Sequence, residues 1–184
     1  MDFEELLSEV GLDTGPQFHQ KVIDCFQNRR RYTTIAVQTH DKLRSAPWPA
    51  GSGAYIVSMR SDESMNGILY IGKTGKLKGS SNGDISMGSG SLRGRLHRWT
   101  PYSFQKEGPF VDCFEYGPNF STSQLKKQEH AERYQKRVPF SNIKIECLST
   151  SGIEKQVAPA LVETLLLANF VASLGHLPPA NQEL

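Results

Sequence analysis

The chain has 184 residues, enough for one domain with an elaboration and a substantial buried core. Its 38% hydrophobic, 22% charged and 9% aromatic residues are ordinary for a globular protein, and its net charge of +2 permits a nucleic-acid partner without arguing for one. Cys25, Cys113 and Cys147 are odd in number, scattered and without CxxC spacing, which excludes a disulfide framework or zinc site and points to reduced thiols in a cytoplasmic protein.

Charge is uneven along the chain. Residues 1–50 hold six Lys/Arg against seven Asp/Glu, net −1, and residues 51–184 hold fifteen against twelve, net +3. The opening MDFEELLSEV is acidic and lacks the basic start and apolar run of a secretory signal. It predicts a first short helix over residues 2–10, with Leu6, Leu7 and Val10 on one side. Phe18, Val22, Ile23 and Phe26 predict a second over about 16–31, and Tyr32 to Val37 a short extended piece. Ala46-Pro-Trp-Pro-Ala-Gly-Ser-Gly53 is turn chemistry and sets a boundary between an N-terminal helical extension, 1–51, and a second unit, 52–184.

Two strands follow, Ala54–Met59 and Gly67–Gly72, joined as a hairpin by the polar turn SDESMN. The Gly/Ser-rich stretch from Gly79 to Gly90 predicts a mobile loop. Ser91–Trp99 predicts a helix with Ser91 as N-cap and Leu92, Leu96 and Trp99 as its apolar stripe. Phe110–Tyr116 reads as a third strand, Thr122–Lys136 as a polar helix, Asn142–Leu148 as extended and Ile153–Ala172 as a last helix. Val157 to Leu174 is apolar enough to suggest a membrane span, but Pro159, Glu163 and Asn169 interrupt it. A charge near the centre of a spanning helix is costly, so a buried helix of a soluble protein is expected.

Three features carry chemistry. Glu163 is the lone charge between Lys155 and Glu183, and its apolar neighbours predict an enclosed helix. Such a carboxylate needs a cation, a metal or good hydrogen bonds, so a structural salt bridge and a ligand role are both open. Tyr55 and Tyr70 sit in similar frames on the hairpin, where strand packing would also account for them. Leu92-Arg-Gly-Arg-Leu-His-Arg-Trp99 presents several guanidinium groups, which suit a phosphodiester backbone as well as plain solvent. Gly67 to Thr74 matches the phosphate-loop pattern, but its middle, Ile-Leu-Tyr-Ile, predicts a strand and argues against nucleotide binding.

The order of these features is more specific than any one of them. Gly53-Ala-Tyr55, Tyr70-Ile-Gly-Lys-Thr74, Leu92-Arg-Gly-Arg-Leu96, Val162-Glu-Thr-Leu-Leu166 and Leu177-Pro-Pro-Ala-Asn181 together resemble the GIY-YIG nuclease superfamily, over about residues 52–184. The family includes homing endonucleases, the incision subunit of bacterial excision repair and some type II restriction enzymes. The resemblance implies an α/β (α+β) fold, with a small central, mostly antiparallel three-stranded sheet flanked by helices. By position, Tyr55 and Tyr70 match the motif tyrosines, Glu163 the metal ligand and Asn181 the late asparagine. Arg95 fits the helix arginine, in a register that puts Trp99 where many relatives carry His; a second register pairs Arg93 with His97. The first motif departs from the pattern in carrying Ala54.

The implied chemistry is in-line hydrolysis of DNA. Tyr55 would be general base or proton relay, with Lys73 and the helix arginine easing phenolate formation, and Tyr70 would support the attacking water or a phosphate oxygen. Glu163 would hold one Mg²⁺ or Mn²⁺, Arg95 would clamp a non-bridging oxygen, and Asn181 would orient the site. Lys76, Lys78, Arg93 and Arg98 would contact DNA. The implied setting is a restriction or defence nuclease in the cytoplasm, with room for a homodimer and a cognate methyltransferase encoded nearby. Repair or mobile-element roles, and a catalytically silent nucleic-acid-binding module, are the alternatives.

Overall fold

A computed structural model describes residues 16–37, 40–75, 77–79, 85–87, 90–97, 104–107, 110–113, 136–151 and 159–181. In chain order the elements are α1 (Pro16–Asn28), β1 (Tyr32–Val37), α2 (His40–Ser45), β2 (Gly53–Met59), β3 (Ile68–Thr74), β4 (Leu77–Gly79), β5 (Ile85–Met87), α3 (Leu92–Leu96), β6 (Phe104–Glu107), β7 (Phe110–Cys113), β8 (Lys136–Pro139), β9 (Ile143–Ser149) and α4 (Pro159–Leu174). The expected helices over 2–10 and Thr122–Lys136 lie outside the described residues, apart from Lys136, which begins β8.

The fold is α+β, built on an antiparallel sheet ordered β1-β9-β2-β3. The central sheet therefore has four strands rather than three. The extended piece Tyr32–Val37 is its first strand, pairing with β9 from Tyr32 opposite Leu148 to Val37 opposite Ile143. The segment from Phe110 is a strand, but it belongs to a separate sheet, β6-β7-β8. Within the Gly/Ser stretch, Ile85–Met87 pairs with Leu77–Gly79 as a two-stranded ribbon, where a loop was expected.

Both faces of the central sheet are covered, which explains why six of the seven residues of β2 are buried. On one face Ala54, Ile56, Ile68 and Ile71 pack under Phe18, Val22 and Phe26 of α1 and Val162, Leu166 and Phe170 of α4. On the other, Tyr55, Val57 and Ile145 pack with Leu92 and Leu96 of α3, Leu43 of α2 and Trp48. Helix α4 starts at Pro159, whose fixed φ and missing N–H suit the first helical position. Its Leu161, Thr164, Ala168 and Ala172 face solvent, so the helix is half covered, not enclosed on every side. Among the described residues, no helix is long and apolar enough to cross a membrane.

The Pro/Gly segment before β2 does more than connect. It anchors α3: the Leu92 N–H donates to the Gly51 carbonyl at 2.6 Å and the Arg93 N–H to the Pro49 carbonyl at 3.0 Å. The Ser91 hydroxyl accepts from the Gly94 N–H at 2.9 Å, the N-cap its position predicted. The leading donors of this five-residue helix are thereby satisfied, which fixes its arginines relative to β2 and β3.

Candidate active site

The motif residues converge at one end of β3, the edge strand of the sheet. In the β2–β3 ladder Tyr55 stands opposite Gly72 and Val57 opposite Tyr70, so both phenols rise from the same face. Their ring centroids are 5.9 Å apart and the planes are tilted by 37°. Gly72 makes this possible. A Cβ there would lie 2.5 Å from Tyr70 Cε1 and 2.8 Å from both Cζ and Oη of Tyr55, inside normal contact distance.

Helix α3 closes the phenol pair from the side. Arg95 Nε donates to Tyr55 Oη at 3.4 Å. The Arg95 guanidinium is held above its usual pKa, first by that hydrogen bond and by the charge of Tyr55, with Tyr70 adding to them against the cost of burial. Tyr55 is wholly buried, whereas Tyr70 is half-buried and faces the open cleft.

Lys73 and Glu163 reach the same place from the other side of the sheet. Lys73 pairs with Ala54 in the ladder, on the face covered by α4, and its ammonium forms an ion pair with the Glu163 carboxylate. The Glu163 side chain is 14% exposed, neither enclosed nor fully solvated. The cation standing beside Tyr55 is thus Arg95, while Lys73 serves Glu163.

The resulting cleft has a volume of about 810 Å³ and is lined by Tyr70, Lys73, Thr74, Ser91, Arg95 and Glu163 with three glycines. Two cations, one carboxylate, a phenol and two hydroxyls suit an anion with several oxygens, such as a phosphodiester. Among the described residues no group of three or more His, Cys, Asp or Glu gathers to hold a metal. Glu163 is the carboxylate lining the cleft, and Lys73 already gives it a cationic partner. A magnesium-type ion placed here would have Glu163 as its protein oxygen, since such ions keep several waters and take substrate oxygens as ligands.

Arg93 and His97 are not brought into this cleft. They face a separate pocket of about 520 Å³ with Arg44, Ser45 and Trp48, where His97 Nδ1 lies 2.8 Å from the Arg44 carbonyl oxygen. Asn181 is buried behind β3 rather than lining the cleft. Its amide donates to the Ile71 carbonyl at 2.7 Å and accepts from the Ile71 N–H at 2.9 Å. With the Ala180 N–H donating to the Leu69 carbonyl, it closes the outer edge of β3 and holds the strand between Tyr70 and Gly72. Lys76, Arg98 and Trp99 lie outside the described residues, and Lys78 is placed in β4 by its backbone.

Thr74 and Ser91 line the cleft although neither was singled out for chemistry. Thr74 Oγ1 accepts from the Gly53 N–H at 3.2 Å, which ties the end of β3 to the start of β2. Its place beside Lys73 in the second motif was the available signal. The phosphate-loop match is answered by the same strand: the Ile68–Thr74 backbone runs in the β2 ladder and does not curl into a cradle. No family model matches the chain, and neither the curated proteins nor the solved structures contain a match to it.

Proposed function

We propose that the cleft at the end of β3 is the active site of a metal-dependent endonuclease of the GIY-YIG kind, hydrolysing phosphodiester bonds in DNA. The observation that carries this reading is the meeting of Tyr70, Arg95, Lys73 and Glu163 in one cleft, with Tyr55 directly behind Arg95. These residues come from two strands and two helices that local sequence alone would not bring together.

In this mechanism Arg95 binds a non-bridging phosphate oxygen through its fork of N–H donors and stabilises the charge that builds there. Tyr70, the phenol open to the cleft, holds the attacking water in line with the scissile bond. Water adds its oxygen to phosphorus, the P–O bond to the leaving sugar breaks with that oxygen taking a proton from solvent, and one water proton passes through the phenols. Tyr55, being wholly buried, acts as relay and not as the group that touches water. Forming a phenolate at pH 7 from a tyrosine of pKa about 10 costs roughly 4 kcal/mol, and an adjacent guanidinium offsets part of it. Glu163 would hold the magnesium or manganese ion, which would supply charge neutralisation at the leaving oxygen. Lys73, paired with Glu163 and lining the same cleft, is the second cation available to the phosphate.

The proposal extends to a restriction or defence nuclease of the cytoplasm, working on DNA as a homodimer beside a protecting methyltransferase, with repair or mobile-element cleavage as the variant role. Incubating supercoiled plasmid with the protein in Mg²⁺ or in EDTA tests the core of it. Cleavage with Mg²⁺ and none with EDTA is expected; intact plasmid under both conditions overturns it. One observation favours a second reading, a silent nucleic-acid-binding module: the Lys73–Glu163 ion pair occupies the carboxylate that a metal needs. That module would retard DNA in a gel without cutting it.

A further inference from the structure

Helix α3 stands between two cationic recesses. One is the cleft, which takes Arg95. The other is the pocket of about 520 Å³ on its far side, where Arg44 and Trp48 of the segment ahead of β2 meet Arg93 and His97. The mechanism makes no use of it. Arg44 and Arg93 are exposed, and among the described residues neither guanidinium has a hydrogen-bond or ion-pair partner. No Asp or Glu is among the residues lining the pocket. Two like charges held over one recess without a carboxylate favour an anion between them.

The pocket is built before any ligand arrives. Trp48 is 3% exposed, and its Nε1 donates to the Leu43 carbonyl at 2.8 Å, which fixes the indole as a buried wall. His97 Nδ1 donates to the Arg44 carbonyl at 2.8 Å, because a carbonyl oxygen can only accept. With the Arg93 N–H bond to the Pro49 carbonyl, this ties α3 to the chain that carries Arg44. Gly94 is the one residue that lines both recesses. Glycine is a poor choice for a helix interior. Apart from its chain neighbours and its own helix backbone, a Cβ there would meet a single atom within 4 Å, Ser91 Oγ at 3.0 Å. Helix α3 is therefore bare between the two recesses.

We propose that the Arg44–Arg93 pocket binds a second phosphate of the DNA strand whose scissile phosphate sits in the cleft, the strand crossing α3 over Gly94. The inference rests on the nuclease reading for its partner. The planar fork of each arginine matches the oxygens of a phosphodiester. A phosphate held away from the reacting one fixes the register of the strand without reading its sequence. The pocket thereby sets the scissile bond against Tyr70 and Glu163, and it brings the segment ahead of β2 into DNA binding.

Fluorescence anisotropy of a short labelled duplex, in EDTA over a series of salt concentrations, tests this without needing cleavage. Arg44→Ala/Arg93→Ala should bind about tenfold or more weaker than wild type at low salt. Its plot of log affinity against log salt should be shallower by about one unit, the loss of one phosphate contact, with the melting temperature unchanged. Lys21→Ala/Arg60→Ala removes the same charge from α1, across the sheet, and from the far end of β2, and should stay within about twofold of wild type. Gly94→Gln removes no charge but sets a side chain on the crossing, and should weaken binding about threefold or more. Equal weakening by the two double variants, wild-type binding by Arg44→Ala/Arg93→Ala, or wild-type binding by Gly94→Gln overturns the proposal and leaves the nuclease reading standing. A folded wild-type chain that binds no duplex overturns both.

Discussion

The two ends of the β2–β3 ribbon handle polar groups in opposite ways. At the Gly53–Thr74 end the charged groups are paired and reach an open cleft: Arg95 with Tyr55, Lys73 with Glu163. At the Ser58–Ile68 end polar atoms are sealed in without partners: His19 Nε2, Ser58 Oγ and Ser173 Oγ. The first arrangement holds its geometry at little cost, because each charged group already has a hydrogen-bond or ion-pair partner. The second carries an unmet hydrogen-bonding demand that burial makes expensive. One sheet thus carries a prepared electrostatic site and an incompletely satisfied one, with α4 contributing Glu163 to the first and Ser173 to the second.

The largest effect that would separate these ends is on catalysis. Arg95→Ala should lower the single-turnover cleavage rate by about 10²–10³-fold, the usual loss on removing a transition-state donor. Arg93→Ala, on the far side of α3, should mainly weaken DNA binding and flatten its salt dependence. Equal losses of rate from the two variants would erase the distinction between cleft and side pocket.

Next comes a stability effect that belongs to the other end. The His19 pKa falls from 6.5 unfolded to about 4 folded. Between those values the unfolded chain binds a proton that the folded chain refuses, so stability rises with pH and falls as pH drops below about 6.5. The loss reaches about 3 kcal/mol near pH 4, and His19→Gln should remove that part of the slope in urea unfolding at pH 7 and 4.5. An unchanged slope would mean that the imidazole is not held neutral.

Gly72→Ala should cost about 1–3 kcal/mol by overpacking and displace both phenols, with cleavage falling about a hundredfold. Thermal unfolding and a cleavage assay on the same sample would show both losses. Smallest is Ser58→Ala, expected within about 0.5 kcal/mol of wild type or slightly stabilising, because no hydrogen bond is lost. A loss above about 2 kcal/mol in chemical unfolding would show that the hydroxyl has a partner in solution.

Much of the cleft was legible in the chain. The matched frames around Tyr55 and Tyr70 left a common face open until the ladder register supplied it, and Ser91 was recognisable as a cap because its hydroxyl precedes an apolar helical pattern. The choice between Arg95 and Arg93 needed the phase of the helix. Residues two apart on a helix point about 200° away from each other, so once Leu92 and Leu96 face the core the two arginines must serve different sides. Tyr32–Val37 was legible as extended, but its place in the central sheet was hidden because its partner lies more than a hundred residues later, and pairing at that distance leaves no local pattern. Glu163 was expected in an enclosed helix since composition gives the number of apolar residues but not which stripe meets the sheet. The unpartnered atoms at the other end of the ribbon had no sequence signal: positions 19, 58 and 173 converge only in the fold.

The central claim is that Glu163 holds the metal that cleavage requires. Single-turnover cleavage of plasmid DNA in saturating Mg²⁺, comparing wild type with Glu163→Gln, measures this most directly. Cleavage should fall by at least about a thousandfold in the variant, with gel-shift affinity for DNA and melting temperature close to wild type. A variant that cuts at the wild-type rate would contradict the account.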